Sequence, residues 1–515
     1  MAALITDGFR LLNADNFIES VSDPDNSYYI FVGLTNPVGN GYGRTPDWNQ
    51  DPPSPEDSIS YTRHVYDTML YGRRITPGNV KRVIRRIDWK RGTRYEQYRD
   101  DYSVNNVSPN TGSTRLYDAN YYVVNSEFRV YVCISNGSSG DNPKGNGSED
   151  EPNFVDTEPS VAGSSGDGYV WKYLFTISPA DVIKFDSTEY ITVPNDWLTT
   201  TTPQIVAIRE SGDSDLNDSQ LKHIYIDQSG EGYSGTANQE VSIIGDGEGA
   251  EAIIDVSSGR ITRALVSKGG KGYTWGLVDL GNLNQNATRA AKLDVIIPPS
   301  KGHGYDIYEE LGTDKVIVYA RFDDSTQDFP IDTKFAQIGL IKNPTIKNTT
   351  SIFSENTFTA AASIKFTSFT GTVRVGDVIE QVTSTGIVAK GYVASFDEST
   401  LVLKYTQDRS LYYNPLVYTN QDYIGITTSG HKVSFESSAS AITTGDGFTG
   451  AIDTSFSGNT ITVGNRNVDL GSQFINGLAE SEINKPSGEI LYLDNRPEVT
   501  RNPRQKEDVK IILEF

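Results

Sequence analysis

The residue types that most often carry chemistry are few and scattered in this chain. Its four histidines, His64, His223, His303 and His431, sit in no partner motif, and a single cysteine, Cys133, excludes an intrachain disulfide. A catalytic site needs a convergent nucleophile, base and orienting group. There is no Gly-x-Ser-x-Gly, no His-Glu-x-x-His and no paired-cysteine metal site. His303 lies between Gly302 and Gly304, where a ring could approach a ligand, but no second His or Cys is near it and it reads as a loop histidine. The run Gly245-Asp246-Gly247-Glu248-Gly249 invites a phosphate-loop reading. It lacks the Lys-Ser/Thr ending, no helical pattern follows, and its acids would repel phosphate, so it reads as a turn. Nothing among the 67 acids singles out a glycosidase-like pair, and the Asp/Asn-rich stretch 141–151 lacks calcium-loop spacing. No catalytic residue, cofactor site or metal site is identified.

One cluster does stand out. From Lys81 to Arg94 seven basic residues face a single acid, Asp88, with Trp89 and then Tyr95 and Tyr98 interleaved. Such a run is a solvated face or a patch that docks an acidic neighbour, and Trp, Tyr and Arg dominate interface energetics. Trp89, Arg94 and Tyr95 are therefore the candidate protein-interface residues.

The elements that must position these residues are mostly strands. In Asp167–Pro194, Tyr169, Trp171, Tyr173 and Phe175 fall at every second position, with Val170, Leu174 and Ile177 on the other side. A period of two with both faces apolar predicts a strand covered on both sides. Ser178-Pro179 ends it, and a second strand is expected over 190–193. Further strands are expected at 28–32, 121–125, 128–134, 315–322, 335–341, 489–495 and the last eight residues. Residues 4–22 suit a short amphipathic helix, and Asp57 or Ser58 caps another over 59–71, with Val65, Tyr66, Met69 and Leu70 on one face and Gly72 at its end. Residues 36–57, 135–168 and 195–220 read as polar loops, the second too polar to pack.

Length alone suggests about three domains. Within 226–295, Gly230-Glu231-Gly232-Tyr233 recurs as Gly270-Lys271-Gly272-Tyr273, with short alternating strands between. Residues 351–484 repeat the pattern of short strands and glycine turns, as in a small barrel or sandwich. A net charge of −22 argues against nonspecific binding to nucleic acid or anionic membrane. There is no apolar run long enough for membrane insertion and no apolar signal segment at Met1, so folding in a cytoplasm is expected.

These segments, taken in order, resemble the baseplate wedge protein family (gene eight product) of T-even-like contractile-tailed bacteriophages. The likeness rests on DGYVW, YLF and EYI-VP within 167–194 and on Ser487-Gly488-Glu489, Tyr492, Asn495-Arg496-Pro497 and the closing Phe515. Phe335, Gln337-Ile338, Ile341, Asn343-Pro344, Tyr131 and Cys133 fit, as do Phe9-Arg10, Asp57-Ser58, Asp88-Trp89 and Thr93-Arg94-Tyr95. The resemblance implies a mainly β protein, with a layered β-sandwich wedge core, short helices in its loops and two inserted small β domains. The core would comprise 1–225, 296–350 and 485–515, with inserts at 226–295 and 351–484. It also implies a non-enzymatic homodimer that binds other wedge proteins, those of genes six, seven and ten in the T-even system. Such a subunit is assembled in the host cytoplasm into the virion tail baseplate and rearranges on contraction. Two rival readings are a receptor- or glycan-binding module displaying Tyr233, Tyr273, Trp275 and Tyr305, and a wall-degrading tail enzyme.

Overall fold

The computed structural model describes all residues except 1–3, 36–47, 49, 213–219, 285, 324–332, 409–410, 412–432 and 502–504; most of the expected 36–57 loop, and His431, lie outside the described residues. The chain is mainly β, with few and short helices. It divides into two compact units, one of Met1–Asn16, Lys81–Ile317 and Ile512–Phe515, the other of Phe17–Val80 and Val318–Ile511.

In the first unit, strands Tyr122–Val124, Arg129–Asn136 and Tyr169–Thr176 form an antiparallel sheet in that order. Tyr169, Trp171, Tyr173 and Phe175 are all buried, as is Leu174, so the doubly apolar strand is covered on both faces as its pattern predicts. Register bulges fall between Val130 and Tyr131 and between Cys133 and Ser135. Ser160 bonds Trp171 through both backbone groups at 2.9 Å, so the stretch read as too polar to pack is in fact tied to the core strand. Backbone hydrogen bonds hold it there, together with Ala162 and Phe154, which pack on the aromatic core. Residues 195–220 also depart from expectation. Trp197 is fully buried with its Nε1 donating to the Tyr305 carbonyl at 2.9 Å, and Pro203–Gly212 is a helix that buries Ile208.

The glycine-rich stretch of this unit builds a four-stranded antiparallel sheet in the order Arg260–Lys271, Glu248–Ser257, Gln239–Gly245, Gly276–Val278, while Lys292–Ile296 pairs with His223–Gln228. Its Gly245–Gly249 run is the turn between two of those strands, as read from the sequence. An added Cβ at Gly247 would collide with the Tyr273 ring, so the glycine permits a close approach.

The second unit carries a five-stranded antiparallel sheet in the order Thr357–Thr359, Met69–Ile75, Tyr28–Gly33, Lys334–Lys342, Glu489–Thr500. Ser58 caps the helix Ile59–Thr68, accepting the Tyr61 N–H at 3.2 Å. That helix ends earlier than its apolar spacing predicts. Met69, Leu70 and Gly72 belong to the next strand, because Gly72 lies in register with Phe31 and gives the Phe358 ring the space a side chain would fill. In the same unit, Val402–Thr406, Val388–Asp397, Val378–Val382, Ile442–Thr444, Thr449–Ile452 and Ala362–Thr370 pair in sequence, and the last also pairs with the first. That closure makes a β-barrel, filled by Phe366, Phe448, Leu403 and Val393.

Candidate functional site

The basic ribbon begins on the strand Val80–Arg85, which pairs with Tyr190–Val193 in the first unit. Most of its charge is met within the chain. Arg82, nearly buried, pairs with Asp15 and lies 4.0 Å from the centre of the Tyr308 ring. Arg86 donates to Asp88 at 2.9 Å and to both oxygens of Asp186 at 2.8 Å. Lys81 pairs with Asp181, Arg91 with Glu149, and Arg85 donates to the carbonyls of Tyr117 and Ala119. Lys90 and Arg94 are exposed and make no ion pair among the described residues.

The three candidate interface residues are placed differently from one another. Arg94 points its charge to solvent. Trp89 is half-buried against the aromatic core, its Nε1 donating to Ser148 Oγ at 2.9 Å. Tyr95 is buried inside the chain: its hydroxyl accepts the Lys90 N–H at 2.7 Å, and its ring packs edge-on against Tyr169 and Trp171. Any contact made here by a partner would therefore be made by Arg94, Lys90 and the rim of Trp89, with Tyr95 as their support.

Each described histidine has a structural setting. His303 Nδ1 lies 2.7 Å from Glu310 Oε1 in a buried pair, the other carboxylate oxygen accepting the Gly304 N–H at 2.7 Å. His64 meets Asp408 at 3.2 Å, both buried, in the second unit. The His223 Nε2 is enclosed and has no hydrogen-bond partner among the described residues; burial, with help from the Arg99 guanidinium, pulls its pKa down to about 4. The Cys133 thiol is buried and its pKa is raised by that burial. Among the described residues no group of three or more His, Cys, Asp or Glu could hold a metal ion. No described helix is long and apolar enough to cross a membrane.

Pattern reading passed over Lys172, which sits between Trp171 and Tyr173 with 1% of its surface exposed. Its Nζ donates to the Thr157 carbonyl, and burial pulls its pKa down to about 8 against the pull of Glu158 and Glu310. The only signal was a charged residue inside an aromatic strand.

A second kind of surface lies at the start of the chain. On the helix Asp7–Ser22 and the residues before it, Ile5, Phe9 and Leu12 are exposed by 61%, 52% and 53% at helical spacing. Such a stripe offers an apolar face that the rest of the first unit leaves open.

Residues 128–202 match the family model described as bacteriophage T4 Gp8. The chain is also similar to a curated relative, the baseplate wedge protein gp8 of Enterobacteria phage T4, at 28% identity over 216 residues. That alignment takes in 37% of this chain and spans 60% of the relative's length. The family match falls on the strands Arg129–Asn136, Tyr169–Thr176 and Tyr190–Val193, which contribute to the aromatic core of the first unit.

Proposed function

We propose that this chain is a non-enzymatic structural subunit of a phage tail baseplate, a wedge protein that pairs with a second copy of itself and is gripped by neighbouring wedge proteins. The observation that carries the reading is the coincidence of the Gp8 match at 128–202 with the centre of the first unit's core. A likeness confined to a surface loop would say little about role; one that covers the central strands extends to the scaffold itself. On this reading 226–295 and 351–484 are modules inserted into a gp8-like core comprising 1–225, 296–350 and 485–515. The subunit would be assembled in the host cytoplasm and would shift with its neighbours as the tail contracts.

Two surfaces suit such a role. The exposed Ile5, Phe9 and Leu12 give an apolar contact, and Lys90 and Arg94, which have no ion pair among the described residues, give a basic one beside Trp89. A stable assembly contact buries roughly 1,200–2,000 Å² or more, and a two-fold contact uses the same patch on both copies. Electron microscopy of purified tails with this chain located in the density tests the role. Its absence from the baseplate would overturn the reading, and a monomer by light scattering at micromolar concentration would overturn the pairing.

A further inference from the structure

The cleft beside Trp275 has features that an assembly subunit does not need. Of the five tryptophans, Trp48, Trp171 and Trp197 are fully buried and Trp89 packs against the core, whereas Trp275 is 53% exposed. Leu277, two positions on, is 57% exposed. Both line a cleft of about 460 Å³, within the roughly 300–1,000 Å³ typical of small-ligand sites. Asp100, Asp101, Lys292 and Asp294 line the same cleft.

The backbone that carries the indole is held in place. Asp246, in the glycine-rich turn, accepts the backbone N–H groups of Thr274 at 2.9 Å and Trp275 at 3.2 Å and also bonds the Thr274 hydroxyl. These bonds hold the Asp246 carboxyl below its usual range. By contrast Tyr233 and Tyr273, the aromatic residues of the repeated Gly-x-Gly-Tyr, spend their hydroxyls on the backbone at Ala291, Ala250 and Ile243. Tyr305 lies under the Lys301 ammonium, 4.4 Å from its ring centre. Trp275 is the most exposed of these four.

We infer that this cleft binds a neutral saccharide, its ring stacked on Trp275 and its hydroxyls held by Asp100, Asp294 and Lys292. The charges favour an uncharged ligand. Asp101 is already bound by Arg99 at 2.7 Å, and Asp294 lies between Lys292 at 3.4 Å and Arg99 at 3.8 Å. Asp100 accepts the Ile297 N–H at 3.3 Å and has no ion pair among the described residues. Asp101 and Asp294, being paired, hold a cationic ligand weakly, which leaves Asp100 as the one carboxylate of the three uncompensated among the described residues; all keep lone pairs for hydroxyl donors, and sugar C–H groups suit the electron-rich face of an indole. The inference is independent of the baseplate role.

The test uses the full chain on an array of neutral hexose and N-acetylhexosamine oligosaccharides, with sialylated glycans and a lysine-rich peptide as further arms. Calorimetric titration of the retained neutral sugars follows. The expected result is selective retention of neutral glycans, weakened about tenfold or more by Trp275→Ala and less by Asp100→Asn. A blue shift of tryptophan fluorescence on binding is expected from wild type, which keeps the test usable if Trp275→Ala misfolds. No neutral glycan retained, preference for the peptide or sialylated arm, or affinity unchanged in folded Trp275→Ala would each overturn the inference.

Discussion

Gln337 and Asn495, 158 residues apart, face each other across two paired strands, and the Gln337 amide donates to Asn495 Oδ1 at 2.7 Å. Asn495 Nδ2 donates in turn to the Tyr61 hydroxyl at 2.6 Å and to the Pro53 carbonyl at 2.8 Å, which fixes the orientation of its amide. Both residues are buried, and both belong to the short motifs that carry the family resemblance. Asn495→Ala would leave the groups around it without this shared partner in a dry site. The expected cost is about 2–3 kcal/mol, read as a lower denaturation midpoint with an unchanged slope. A midpoint equal to wild type would show that the network does not hold the strands.

Lys172 gives a prediction of opposite sign. Its ammonium is buried in the aromatic core, and its pKa falls from 10.5 to about 8 on folding. Below pH 8 the lysine is protonated in both states, and the folded one bears the cost of an enclosed charge. Between pH 8 and 10.5 the unfolded chain binds more protons, so wild-type stability from this group rises with pH. Lys172→Met should match or exceed wild-type stability at pH 7, by as much as about 3 kcal/mol less whatever the Thr157 carbonyl loses. The gap should close on approach to pH 10.5. A gap independent of pH, in parallel urea titrations, would contradict this account.

What could be read in advance follows from how local each determinant is. The Tyr169–Phe175 alternation, the Ser58 cap and the Gly245–Gly249 turn depend on neighbours in sequence, and each stands in the structure as read. The strand Met69–Ile75 was masked by a helical apolar spacing that continued past Thr68, and the pairing that overrides it comes from Phe31 and Phe358. The helix Pro203–Gly212 was hidden in a polar stretch because one face, at Ile208, is all it buries. The site was less legible still. Charge counting along Lys81–Arg94 could not see Asp15, Asp181 and Asp186, which meet that charge from elsewhere in the chain. Nor could spacing reveal that Asp246 would bond the Trp275 backbone, or that Trp275, Asp100 and Asp294 would line one cleft.

His223 should make the protein sensitive to mild acid. Its Nε2 is enclosed and the pKa of the ring falls from 6.5 in the open chain to about 4. Between those values the unfolded chain takes up the proton and the folded one resists it. The stability held above pH 6.5 is therefore lost as the pH falls toward 4. His223→Gln should flatten the stability profile over that window by an amount on the order of 2–3 kcal/mol, relative to wild type at the same pH. Identical slopes for the two proteins would place the acid sensitivity elsewhere.

The basic ribbon separates folding from assembly in a single pair of variants. Arg82 is enclosed, paired with the partly exposed Asp15 and stacked on Tyr308, so Arg82→Glu sets two carboxylates together and puts one of them in an enclosed position. A fully buried pair broken in this way costs about 3–5 kcal/mol; with Asp15 partly solvated the cost is smaller, about 1–3 kcal/mol, and the variant should still melt below wild type before any partner is added. Arg94 is exposed and has no ion pair among the described residues, so Arg94→Glu should leave the melting temperature within about a degree or two of wild type. If an acidic neighbour docks on Arg94 and Lys90, the same reversal should slow association and weaken the assembled complex, most visibly at low salt where surface charges are least screened. Sedimentation of each variant with the purified baseplate components at two ionic strengths reads both effects. Undiminished assembly by a folded Arg94→Glu at low salt would remove this face from the contact and leave the apolar stripe at Ile5, Phe9 and Leu12 as the surface to mutate next.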